Sequence, residues 1–154
     1  IGFIKGHPNH MASDDRLFGY RRALDRAGIS FEPQLVAEGE FDFESGVRAG
    51  RMLLDLGEPP TAIFAANDDM AAGVLAVAHD RGIDLPGQLS VAGVDDSTLA
   101  GSVCPPQTTM HQPMFDLAHT ATDILIAGGD LNHRRLPHTL IERASVAPPF
   151  RKPV

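Results

Sequence analysis

The sequence predicts an α/β protein, a three-layer αβα sandwich built on a mainly parallel sheet. Two observations carry this. Short apolar runs alternate four times with amphipathic stretches in units of about thirty residues, the rhythm of parallel strands joined by crossover helices. The chain also has 154 residues, enough for one ordinary domain with a sizeable core.

The elements follow in order. Ile1–Lys5 is a short apolar run ending at Gly6, the pattern of a buried strand. Ser13 is the expected N-cap of the first helix, with Asp14 and Asp15 where the helix dipole favours acids. Leu17, Tyr20, Leu24 and Ala27 recur at helical spacing, and Gly28 supplies the stop. Leu35–Glu38 reads as a second strand. Phe43–Leu56 reads as a second helix with Val47, Met52, Leu53 and Leu56 inward, ended by Gly57. Thr61–Ala66 is a third strand. Asp68–Arg81 is a third helix with Met70, Val74, Val77 and Ala78 inward, closed by Gly82, and Leu89–Val94 is a fourth strand. Beyond Asp95 the rhythm breaks. Ser97–Thr109 reads as loop, with Pro105 and Pro106 forcing extended backbone. Phe115–Ala127 is a fourth helix stopped by Gly128 and Gly129, Leu136–Glu142 a late strand, and the residues from Pro148 a proline-rich tail.

Composition narrows the function. Hydrophobic residues make up 43% and charged residues 21%, a globular balance. The formal net charge of -7 argues against this segment gripping a DNA duplex, which needs a basic face. Cys104 is the single cysteine, so no internal disulfide forms and a reducing compartment fits. No apolar run is long enough to span a membrane, and no signal-peptide pattern appears. The chain opens inside a strand pattern, which reads as the later part of a longer protein.

Ligands of an open parallel sheet bind beyond the carboxyl ends of its strands. Four loops leave those ends, Gly6–Ser13, Gly39–Asp42, Asn67–Asp68 and Asp95–Ser97. One turn into the first helix stands Arg16, and the later loops carry Phe41, Asn67 and Asp95 in turn. A carboxylate accepts hydrogen bonds, a guanidinium donates in a fork, an amide does both, and an aromatic ring covers the apolar face of a pyranose. Together they suit a hydroxyl-rich ligand. Taken singly, each also has a structural role to play, Asn67 as a helix N-cap and Asp95 as a turn residue.

Enzymatic readings find less support. His7 and His10 have metal-ligand spacing, but Pro8 and Asn9 make the segment a loop, and the other five histidines form no matching pair. No metal or cofactor is expected. Neither a G-x-S-x-G nor a phosphate-binding G-x-x-x-x-G-K-[ST] motif is present. Asp68–Asp69 and Asp95–Asp96 resemble magnesium-binding acid pairs, yet the first strand ends in Lys5, Gly6 and His7 where a phosphoacceptor domain wants acids. Cys104 beside two prolines matches no known nucleophile signature.

The runs IGFIKG, SDDRLFGYRRALDRAGI, PTAIFAANDDMAAGVL, LSVAGVDDS and PPQTTMHQP, in this order and spacing, resemble the effector domain of LacI/GalR-type transcriptional regulators. The resemblance covers Ile1 to about Pro148. It implies a type I periplasmic-binding-protein-like fold of two lobes. Residues 1–147 would form the C-terminal lobe, 113–129 a helix packed on an N-terminal lobe upstream, and 148–154 a tail. It implies effector contacts for Arg16, Phe41, Asn67 and Asp95, selectivity-tuning positions at His10 and Ala12, and a hinge crossing at Gln112. Met114 stands where some members place an aromatic ligand contact. Ala71, Ala72, Leu75, Val103 and Cys104 would lie at a homodimer interface. The implied protein is a cytoplasmic regulator that senses a sugar or similar small molecule and meets operator DNA only through a helix-turn-helix upstream. The alternative is a periplasmic sugar-binding protein of a transport system. An enzyme ranks last.

Overall fold

The computed structural model describes residues 1–128 and 134–149. Six strands form one sheet in the order β2-β1-β3-β4-β5-β6. They are β1 (Gly2–Lys5), β2 (Val36–Glu38), β3 (Ala62–Ala65), β4 (Ser90–Asp95), β5 (Thr108–His111) and β6 (Thr139–Ile141). β1 pairs in parallel with β2 and β3, aligning Phe3 with Val36 and with Phe64. The parallel run continues through β4 to β5, and only β6 is antiparallel.

Three helices follow the expected rhythm, α1 (Met11–Arg26), α2 (Phe43–Leu54) and α3 (Asp68–Asp80). Side chains alternate across β1 and so bind both outer layers. Phe3 stacks on Tyr20 of α1 at 5.0 Å between ring centroids, while Ile4 and Met70 of α3 both crowd the backbone at Gly39. α2 and α3 share one layer because glycines bring them together. An added Cβ at Gly46 would lie 2.3 Å from the Met70 carbonyl oxygen, and one at Gly73 would lie 2.5 Å from that of Phe43. The core holds Phe3, Ile4, Leu53, Ile63, Met70, Val74, Leu89 and Val91, each at most 1% exposed. Val77 and Ala78 are buried as predicted, whereas Met52 is 47% exposed and points away from the core.

Several boundaries differ from expectation. α1 begins at Met11 with His10 at the N-cap position, because the Ser13 hydroxyl turns back to donate to the His7 carbonyl at 2.8 Å. The stretch read as loop contains α4 (Thr98–Ser102) and the whole of β5. Proline punctuation hid them, and the polar run Thr108–His111 lacks an apolar strand signature. The final helix α5 (Met114–Ala127) ends at Gly128 with φ 63°. It has no buried residue, and Phe115, Leu125 and Ile126 are about four-fifths exposed. Gly129 and residues 150–154 of the tail lie outside the described residues.

Candidate functional site

Because β1 to β4 run parallel, their carboxyl ends share one edge, and the predicted residues collect there. Phe41 adopts φ 63°, a left-handed conformation rare for a bulky residue. Its ring lies over Gly6, where an added Cβ would fall 1.9 Å from a ring carbon, so glycine is required beneath it. The His10 ring meets Phe41 edge-on at 5.5 Å. The Arg16 guanidinium stands 5.6 Å from the Phe41 ring centroid, within cation–π range.

Asn67 serves this arrangement from below. Its Oδ1 accepts from the Met70 backbone N–H at 3.0 Å and so caps α3, and its Nδ2 donates to the Phe41 carbonyl at 2.8 Å. One amide thus starts a helix and fixes the strained aromatic residue. Asn67 is 6% exposed, so most of the side chain is turned into the protein.

Asp95 closes the rim. It has φ 118°, and its neighbour Asp96 has φ 57°. The Gln112 amide donates to Asp95 Oδ1 at 2.5 Å, and Arg16 Nη2 is 3.8 Å from the same oxygen. Burial pushes the Asp95 carboxyl above the usual range, Arg16 opposes this, and the charges of Asp68 and Asp69 add to the rise. The Asp95 side chain remains 41% exposed. The site therefore offers an open carboxylate and a guanidinium that do not saturate each other, beside an aromatic ring. Such a set can accept from one ligand hydroxyl and donate to the next.

The other predicted positions are spread more widely. Ala12 is exposed in the first turn of α1. Met114 is 63% exposed at the start of α5. Ala72, Leu75, Val103 and Cys104 line a groove on the outer side of α3, together with Phe43 and His79. Ala71, 0% exposed, is not in its lining, and Ala72 and Leu75 are themselves only 2% and 3% exposed. His7 and His10 sit with rings at 5.4 Å, edge to face, and His7 Nε2 faces Glu40 at 3.4 Å. Among the described residues, no three His, Cys, Asp or Glu side chains converge as a metal site.

Residue spacing did not reveal the layer that holds the rim in place. Asp68 is 1% exposed, yet its carboxylate accepts from Ser97 N at 2.8 Å, Gln107 Nε2 at 2.7 Å and Thr109 Oγ1 at 2.5 Å. A second cluster surrounds Asp96, which accepts from Arg143 Nη2 at 2.6 Å and lies 3.1 Å from His111 Nδ1. Arg143 holds the Asp96 carboxyl below its ordinary range. These partners lie 15 to 47 residues apart in sequence, beyond any local motif.

The model of the periplasmic binding protein-like domain matches residues 1–146. The chain is 41% identical to the transcriptional repressor CytR of Escherichia coli K12 over 126 residues, 82% of this chain and 37% of that protein. It is 40% identical to the regulator GalR of the same organism, over 97% of this chain and 45% of that protein. The solved complex of the transcriptional regulator CelR with cellobiose superposes with a TM-score of 0.83 at 36% identity, covering 94% of this chain and 46% of that one. The chain thus spans less than half the length of these relatives, which are regulators of transcription and not enzymes. With a periplasmic binding protein-like domain over nearly its whole length and relatives of this kind, the chain belongs to the LacI/GalR family of transcriptional regulators.

Proposed function

We propose that this chain is the C-terminal effector-binding and dimerisation lobe of a repressor that senses a sugar or similar neutral, hydroxyl-rich molecule. The observation that carries the reading is the convergence of Arg16, Phe41 and Asp95 on one strand edge, with Asp95 open to solvent. The ligand ring lies on Phe41 while its hydroxyls donate to Asp95 and accept from Arg16. Asn67 orients the site chiefly through its bond to Phe41, and His10 and Ala12 border it. The cellobiose complex of CelR supports a saccharide over other polar ligands.

The apolar helix α5 packs on a second lobe, and the ligand is enclosed between the two. Binding favours one lobe orientation, which shifts operator affinity of a DNA-binding domain upstream, and by linkage the operator shifts effector affinity by the same factor. Ala72, Leu75, Val103 and Cys104 pair with the same groove of a second copy. The protein works beside DNA in the cytoplasm. The relatives' names as repressors and regulators of transcription weigh against a transport receptor.

Calorimetric titration of the complete protein with neutral mono- and disaccharides tests this. Arg16→Ala and Asp95→Ala should each abolish the heat of binding while circular dichroism stays native. Retained affinity in both variants would sink the assignment.

A further inference from the structure

Two consecutive non-glycine residues in the left-handed region persist only where surrounding contacts over-determine them. Asp95 and Asp96 are such a pair, with φ 118° and 57°. Asp95 ends β4 in register with His111, and beyond that ladder its side chain is held only by one hydrogen bond from Gln112, with Arg16 at 3.8 Å. The constraint falls on Asp96. Its backbone N–H donates to Thr109 Oγ1 at 3.3 Å, and its carboxylate takes Arg143 Nη2 at 2.6 Å on one oxygen and His111 Nδ1 at 3.1 Å on the other.

Arg143 is a fixed donor. Its Nη1 donates to the Gln107 carbonyl at 2.9 Å, and its backbone N–H donates to Thr108 Oγ1 at 3.0 Å. The guanidinium therefore cannot swing away without breaking its bond to Gln107, the residue before β5. Both partners are largely withdrawn from water, with side-chain exposures of 24% for Arg143 and 19% for Asp96. In that setting a charge-assisted pair is well above a surface ion pair in strength. His111 ends β5 and Arg143 follows β6, so the cluster joins the two strands that flank α5 to the carboxyl end of β4.

We propose that Asp96, clasped by Arg143 and His111, is the positioning residue of the effector site, holding the Asp95 carboxylate at the rim and coupling its placement to the two strands on either side of α5. The inference rests on the reading of Asp95 as an effector ligand. Through it, movement of β5 and β6 reaches Asp95, and ligand on Asp95 resists that movement.

The test is the carboxyl titration of Asp95, followed by carbon-detected NMR in the full chain without ligand. Burial is the main reason for the raised Asp95 value, so freeing the turn exposes Asp95 and lowers its midpoint toward an ordinary carboxylate. Arg143→Ala should produce that fall, Arg143→Lys should recover part of it, and Arg81→Ala, which breaks the exposed pair with Asp55, should leave Asp95 unchanged. Simple loss of a nearby positive charge would move the midpoint upward. An unmoved or raised Asp95 midpoint in folded Arg143→Ala therefore overturns the proposal. Should Arg143→Ala not fold, His111→Gln removes the weaker arm and is read by the same criterion. Because no ligand is present, this outcome is separate from the calorimetry of Asp95→Ala, which tests the effector reading alone.

Discussion

Asp95 and Asp96 are adjacent carboxylates with opposite electrostatic fates. Burial lifts Asp95 above its ordinary value, and Arg143 pulls Asp96 below it. The consequences for stability have opposite signs. The contribution of Asp96 is complete above its unfolded value of about 3.9 and is lost as pH falls through its lower folded value. The ionised Asp95 destabilises most above its raised folded value, and the penalty is relieved as pH falls from there toward the unfolded value. Replacing Asp95 by Asn should therefore raise the thermal midpoint at pH 7, since Asn also tolerates positive φ. The gain stays below about 1 kcal/mol, because solvent screens a side chain that is 41% exposed. Asp96→Asn should lower the midpoint, by about 1 kcal/mol for the weakened bond to Arg143. Thermal melts of both variants at pH 7 and pH 4 check the signs.

At the scale of elements, the close approach of α2 and α3 is set by glycines. Gly46→Ala would place a methyl 2.3 Å from the Met70 carbonyl, and the helices must separate. The expected cost is about 1–3 kcal/mol, visible as a lower denaturation midpoint with an unchanged slope. Much of this layer was legible from sequence. Apolar periodicity located α1 to α3 and β1 to β4 to within a few residues, because burial on one or both faces writes itself into local composition. β5 was not legible. It is Thr-Thr-Met-His, and the buried Thr109 is there to bond Asp68 on α3, a contact 41 residues away. The His10 N-cap was missed for a related reason, since Ser13 spends its hydroxyl on the loop that precedes it. The rim residues could be placed from topology alone, because strand ends fix loops. Their supporting bonds could not, because polar networks follow geometry and carry no period.

At the scale of the whole molecule, two apolar surfaces await partners in the proposed assembly. On α5, Phe115, Leu125 and Ile126 stand in solvent, and a 14-residue helix without tertiary packing is marginal in water. In the complete protein its amides should gain hydrogen-exchange protection over those of this chain alone. On the other surface, Val103 lines the groove beside α3. Val103→Arg should convert a dimer to a monomer in sedimentation velocity with helix content preserved, and an unchanged mass would remove that groove from the account. In the proposed function it is Asp95 that reads the effector. That role is tested most directly by the ligand-induced rise in thermal midpoint of the complete protein, measured with a panel of neutral sugars on the wild type and on Asp95→Asn. A concentration-dependent rise is expected for at least one sugar in the wild type and none in the variant, although the variant starts from a higher midpoint. An equal rise in both would contradict it.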